Sequence, residues 1–255
     1  MHLTLPAAQR AVFISDLHLG NDTPRLLQAF AQFLDEQIRA NDALFILGDL
    51  LEAHCGDDDD SAVFRKVKEL LALQTRNKNV ALYFMHGNRD FIAGQIFCNA
   101  VGATLLPDPT VLIQKSSLNH NLSVPEVRIL LSHGDAWCTD DVAYQQFRQA
   151  SRQAAWQAAF LSKPLPERQA IVAQYQTQSV AAKAMKAQAI MDVNPAAVMA
   201  ALVADDCSIA LHGHTHRAGE TFLPNNARRV VLGDWREDEP IRYAILAAGN
   251  LTLKN

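Results

Sequence analysis

"AVFISDLHLG" (11–20) and "ALFILGDLLE" (43–52) are built alike: an apolar run, then at once an acidic or imidazole side chain. The device returns in "ALYFMHGNRD" (81–90), "RILLSHGD" (128–135) and "SIALHGHTH" (208–216), while "RVVLG" (229–233) is a further run of the same kind. These runs are short, rich in β-branched and aromatic residues, and bounded by polar turns, which predicts strands buried on both faces. Between the first two, Leu26, Leu27, Phe30, Phe33, Leu34 and Ile38 recur at helical spacing after Pro24, a residue suited to a first helical turn. Strand and helix alternation implies an α/β core. The later strands lack regular helices between them, so part of the sheet is expected to be antiparallel or to form a second sheet.

The residues just past each run carry the chemistry. Asp16 and His18, Asp49, Asn88, His133, and His214 with His216 all fall at the C-terminal ends of expected strands, where α/β sheets place ligand sites. Singly, each is weak, because Gly-Asp is turn chemistry and a lone histidine at a strand end is ordinarily a hydrogen-bonded structural residue. Five such coincidences point to a metal site. Asp, His and Asn without thiolate suit Mn²⁺, Fe or Zn²⁺ better than Ca²⁺, and the oxygen ligands lean toward Mn²⁺. The number of ligands exceeds one ion's needs and fits two, about 3.5–4 Å apart, that activate water and clamp a phosphoryl oxygen.

D-x-H, G-D, G-N, H and G-H-x-H in this order resemble the calcineurin-like metallophosphoesterases, from Asp16 to His216. The resemblance implies a sandwich of two β-sheets flanked by helices, with Asp16, His18 and His216 on one metal, Asp49 bridging, and Asn88, His133 and His214 completing the second. "GNRDF", "SHGDAWCTDDVAYQQFR", "AIMDVNP", "HGHTHR" and "VLGDW" are similar to the branch of that family that cleaves UDP-2,3-diacylglucosamine in the lipid A pathway. That branch implies a dimetal-activated attack on the diphosphate, giving UMP and 2,3-diacylglucosamine 1-phosphate. It also implies catalytic roles for Asp49, Asn88, Arg89 and His133, and substrate contacts from Asn88, Arg89, Asp141, Ser179, Lys183, Lys186 and His214. Arg89 stands where the general family usually has histidine. Glu52 replaces a usual aspartate, and "GDLLEAHCGDDDD" (48–60) carries Leu51 and His54 in place of aromatic residues. Arg89 cannot supply a proton near neutral pH but can hold phosphate oxygens in a bidentate grip, which suits a phosphate leaving group.

From about 142 to 204 the chain is rich in Ala and Gln and has no strand-like run. It is expected to form a helical cap inserted into a core of 1–141 and 205–255, with one helix across "YQQFRQASRQAAWQAAFLSK" (144–163) and another after "KPLP" (163–166). Between Tyr144 and Ile190, Arg148, Arg152, Lys163, Arg168, Lys183 and Lys186 are opposed only by Glu167, and Trp156, Phe160, Leu161 and Leu165 lie among them. As a set they suit an anionic lipid, and the resemblance makes these helices a lid for acyl chains. Residues 115–126 read as a polar surface loop, His54 and His120 as surface residues, and Asp57–Asp60 as a solvated acidic turn or helix cap. His86 and His212 read equally as supports for neighbouring ligands or as core or turn residues, and Cys138 as structural.

The 255 residues are 49% hydrophobic and 20% charged with a net charge of −4, which gives no reason to expect nucleic acid as partner. Four scattered cysteines read as reduced thiols. No apolar run nears the roughly 18–20 residues that span a bilayer, and a motif at Asp16 leaves no room for a signal peptide. The expectation is a peripheral enzyme on the cytoplasmic side of the inner membrane, with a nucleotide-linked glycolipid as substrate and no obligate protein partner. Two rivals are the same fold acting on a soluble nucleotide or phosphodiester, and a metal-free scaffold.

Overall fold

The computed structural model of the chain describes residues 1–115, 126–185 and 192–255, and the side chains within them except those of 180–185. Lys186, His120 and most of the expected 115–126 loop lie outside the described residues, as does the side chain of Lys183. In chain order come β1 (His2–Leu5), β2 (Ala11–Ile14), α1 (Pro24–Glu36), β3 (Ala43–Leu47), α2 (Ala62–Asn77), β4 (Ala81–Met85), α3 (Gln95–Val101) and β5 (Ala103–Leu106). Next come β6 (Thr110–Gln114), β7 (Val127–Leu131), α4 (Val142–Ser151), α5 (Ala154–Leu161), α6 (Leu165–Met185), α7 (Pro195–Ala204), β8 (Ile209–His212), β9 (Gly219–Phe222), β10 (Arg228–Val231), β11 (Tyr243–Ala247) and β12 (Asn250–Lys254).

The strands form two mixed sheets, ordered β12-β11-β2-β3-β4-β5 and β1-β6-β7-β8-β10-β9. Strands β2, β3, β4 and β5 run parallel in the first, and β7, β8 and β10 run parallel in the second. The strand ends that carry the candidate ligands are therefore neighbours within each sheet. Strand pleating sorts the buried residues. Val12, Ile14, Leu44, Ile46 and Phe84 face a core shared with Phe30, Phe33, Phe64 and Phe97 of the helices. Phe13, Phe45 and Met85 face the other way and meet Leu112, Ile129, Leu131 and Leu211 of the second sheet. That alternation explains why the runs read as continuously apolar. Phe13, Phe45 and Tyr83 stack in series, with ring centroids 4.9 and 4.6 Å apart.

Helix ends follow local chemistry. Ser61 accepts a hydrogen bond from Phe64 N at the start of α2, Asp141 from Tyr144 N at α4, and Asn194 from Ala196 N at α7, each satisfying an otherwise orphaned donor. Helix α3 has no such cap of its own. Asp57 supplies it from afar, accepting from Gly94 N at 2.9 Å and Phe97 N at 3.0 Å. The acidic run is thus a fixed brace, because Asp58 also pairs with Arg168, and Asp59 is buried and accepts from Ser61 N. His54 is buried as well, against Phe64 and opposite Asp57, which corrects its reading as a surface residue. The helix expected over 144–163 is two helices, α4 and α5, parted at Arg152 and Gln153.

Phe45→Ala removes the middle ring of the inter-sheet stack. A loss of about 3–5 kcal/mol is expected, read as a lower urea midpoint with unchanged slope.

Candidate dimetal centre and cleft

Backbone N–H groups, donating to carbonyls and to aspartate side chains, bring the five strand ends to one place. Asp16 N donates to Gly48 O, Gly213 N to His133 O, and His214 N to Asp16 Oδ2 at 2.9 Å. Asp90 ties two turns together, accepting from Gly87 N at 2.7 Å and Leu50 N at 2.8 Å. Asp16, His18, Asp49, His214 and His216 all have positive φ, between 49° and 65°. Such backbone is uncommon outside glycine and concentrates at functional sites. Where turns cross, only hydrogen fits: a Cβ on Gly87 would lie 2.1 Å from Asp49 Oδ1, and one on Gly213 2.1 Å from Asp16 Oδ2.

The structure brings all seven candidate ligands together. Asp16, His18 and His216 form one group able to hold a metal ion, and Asp16, Asp49 and His133 another. Asp49 Oδ2 lies 3.9 Å from His18 Nε2 and 3.8 Å from His133 Nε2, between the groups. Asn88 Oδ1 is 3.2 Å from His133 Nε2 and 2.8 Å from His214 Nδ1.

Several ring tautomers are set from behind. His133 Nδ1 donates to Leu47 O at 2.9 Å, His18 Nδ1 donates to Glu52 at 2.9 Å, and His216 Nδ1 faces Asp234 at 3.4 Å. Each Nε2 then presents a lone pair inward. The Nε2 atoms of His18 and His216 are only 3.3 Å apart, and Asp16 Oδ1 is buried with no hydrogen-bond partner. Acceptors facing acceptors require protons or cations between them, so the donor set fits metal ions.

The electrostatics agree. Burial alone would lower His216 and His133, but the Asp16 and Asp234 carboxylates lift His216 to about 10, and Asp49, Asp16 and Asp135 lift His133 to about 9. Burial pushes Asp49 up, whereas around Asp16 the close approach of His216 and the imidazole charges outweigh burial and hold it well below the usual carboxylate range.

A cleft of about 690 Å³ opens from this cluster. Asn88, Arg89, Asp141, Ser179, His214 and His216 line it at polar positions, and Phe91, Phe147, Trp156, Phe160 and Tyr175 supply aromatic walls. Arg89 lies 3.4 Å from Glu52, and its backbone N–H donates to Asp49.

Among the described cations of these helices, Arg148, Arg152 and Arg168 do not belong to the uncompensated set read from the sequence. Arg148 pairs with Asp135 at 2.9 Å, and Arg152 reaches Asp135 at 3.5 Å while donating to Gly87 O and lying over Phe91. Arg168 is buried on Asp58. Their partners are distant in sequence, which is why the stretch looked uncompensated. His212 donates to its neighbour's carbonyl, packs on Trp137 and is lowered to about 4 by burial and Arg229, while His86 braces Ala93 O. Burial drives Cys138 to about 12, in keeping with a structural thiol.

Sequence reasoning missed Asp135, Asp234, Tyr144 and Gln176 as parts of this assembly. Asp135 and Asp234 each follow a glycine after an apolar run, the signal that found the others. Tyr144 stacks on His214 and donates to Asp135 at 2.5 Å, a link only the fold creates.

Because ion uptake must expel protons from His133 and His216, Mn²⁺ affinity should fall as pH is lowered from about 9 to about 6. Calorimetric titration in two buffers of different ionisation enthalpy should register the released protons, and a pH-independent affinity would contradict the assignment.

The calcineurin-like phosphoesterase family matches residues 9–218. A UDP-2,3-diacylglucosamine hydrolase of Aeromonas salmonicida is 41% identical over 229 residues, covering 89% of this chain and 86% of that protein. Proteins of the same name from Aeromonas hydrophila and Bordetella pertussis are each 43% identical over 229 residues, covering 89% and 87% of this chain and 90% and 83% of theirs. With the match running across every candidate ligand, the chain belongs to the calcineurin-like phosphoesterase family, whose members use a dimetal centre.

Proposed function

We propose that this chain is a metal-dependent hydrolase of UDP-2,3-diacylglucosamine in lipid A biosynthesis. The observation that carries the reading is one cleft that joins the end rich in candidate ligands to aromatic walls, and the name shared by the relatives agrees with it. Water oxygen bonds to the phosphorus next to uridine, the bond from that phosphorus to the bridging oxygen breaks, and UMP and 2,3-diacylglucosamine 1-phosphate leave as phosphate dianions with release of two protons.

Asp16, His18 and His216 would hold one ion and Asn88, His133 and His214 the other, with Asp49 shared, and Mn²⁺ suits this mixture of imidazole and oxygen donors. Bound there, the ions supply positive charge for the phosphoryl oxygens and lower the pKa of water. Arg89 holds phosphate oxygens and cannot act as an acid. None is needed, because the leaving group departs as a phosphate anion. Asp141, Ser179 and His214 contact the substrate from the cleft, and Lys183 and Lys186 extend that set. The helices over 142–204 act as a lid on a core of 1–141 and 205–255, their aromatic side chains sheltering acyl chains from water. A substrate with its chains in a bilayer calls for a peripheral enzyme at the cytoplasmic face of the inner membrane. No described helix is long and apolar enough to cross it.

Arg89→Ala should lower kcat/KM by about 10²–10³-fold without moving the acid limb of the pH profile, and a wild-type rate would refute the phosphate grip. Under the same conditions UDP-glucose should be turned over far more slowly than the diacylated nucleotide. Equal rates would remove the acyl chains from the account and leave a soluble-nucleotide phosphoesterase.

A further inference from the structure

Glu52 stands three residues beyond Asp49 and touches three parts of the molecule at once. Its Oε2 accepts from His18 Nδ1 at 2.9 Å, on the ring edge opposite the Nε2 that faces Asp16, Asp49 and His216. Its Oε1 lies 3.4 Å from Arg89 Nη1. From α6, 124 residues away, Gln176 Nε2 donates to both Glu52 O at 3.0 Å and Glu52 Oε1 at 3.1 Å. Gln176 itself lines the cleft.

We infer that Glu52 is a positioning residue through which inserted helix α6 acts on the candidate ligand His18 and on Arg89. Glutamate has several rotatable bonds, and a side chain held at one point would sample many directions. Here the Gln176 fork fixes both its backbone and its carboxylate, so the carboxylate is presented to His18 in one orientation. That orientation sets the tautomer and the ring plane, a role partners behind a metal-bound histidine commonly serve. The same carboxylate offsets the guanidinium charge beside the ion cluster. When α6 lifts from the cleft, Glu52 loses this tie and His18 loses its fixed orientation. Reciprocity requires that an ion on His18 in turn favours the seated helix. The inference rests only on the ion-binding part of the proposed function and holds for any substrate.

The test is calorimetric titration of Mn²⁺ into the full chain without substrate, for wild type, Glu52→Ala, Gln176→Ala, the double variant and Glu52→Gln. Glu52→Ala should weaken binding about 10–100-fold. Gln176→Ala, which removes no ligand, should weaken it by about threefold to tenfold, the worth of one or two hydrogen bonds. The double variant should bind no worse than Glu52→Ala alone, and Glu52→Gln, which keeps an acceptor for His18, should recover most of the affinity. Coincident melting curves of the ion-free proteins separate lost binding from lost fold. Wild-type affinity in Gln176→Ala, or a double loss equal to the product of the single losses, would overturn the inference. Failure of wild type to take up Mn²⁺ would instead overturn the ion-binding reading beneath it.

Discussion

Two aspartates, Asp16 and Asp49, are buried side by side where β2 and β3 end. Placing two carboxylates out of water is costly unless positive charge accompanies them, and everything around them serves that requirement. His18, His133 and His216 converge on the pair, each ring anchored from behind by a carbonyl or carboxylate. The left-handed backbone at five of the ligands is held because strand pairing, turn hydrogen bonds and glycine crossings leave no other course for the chain. Strain of this kind persists only where the surroundings over-determine it. The two sheets are thus the means by which residues nearly 200 positions apart, such as His18 and His216, come within contact.

A second buried carboxylate joins this centre to the inserted helices. Asp135, two residues after His133, accepts from Tyr144 and Arg148 and faces Arg152. Nearby cations outweigh its burial and hold it well below the usual carboxylate range. Tyr144 lies against His214, and Arg152 reaches the carbonyl of Gly87 beside Asn88. Together with Glu52 and Gln176, these contacts make the walls of the cleft and the cluster of candidate ligands one packed object. The aromatic surfaces over the cleft are accordingly set by the same residues that fix the polar end.

Much of this was legible in the sequence because strand ends and ligands coincide. The apolar runs mark the strands, and the next residue or two mark the site, so the seven candidate ligands could be named without coordinates, and the fold gathers them in one place. Strands without a ligand were harder. β6 is as buried as β3 yet carries no motif at its end, and β9 is largely exposed, so its pattern lacks an apolar face. The departures at Arg148, Arg152, Arg168 and His54 share one cause. A charge or imidazole appears solvated in sequence when its partner lies on another element, and Asp135, Asp108, Asp58 and the Phe64 ring are all brought in by tertiary folding. Gln176 carries no local signal whatever, since an amide on an Ala- and Gln-rich helix is unremarked until it meets Glu52.

On the proposed function, these turns prepare one site for two ions that share Asp49. Electron paramagnetic resonance of the protein loaded with Mn²⁺ tests it directly, because neighbouring ions that share a ligand are spin-coupled. At two equivalents the spectrum should be that of an exchange-coupled pair, and in Asp49→Asn the coupling should be lost. A spectrum of isolated Mn²⁺ at every loading of the wild-type chain would contradict the account.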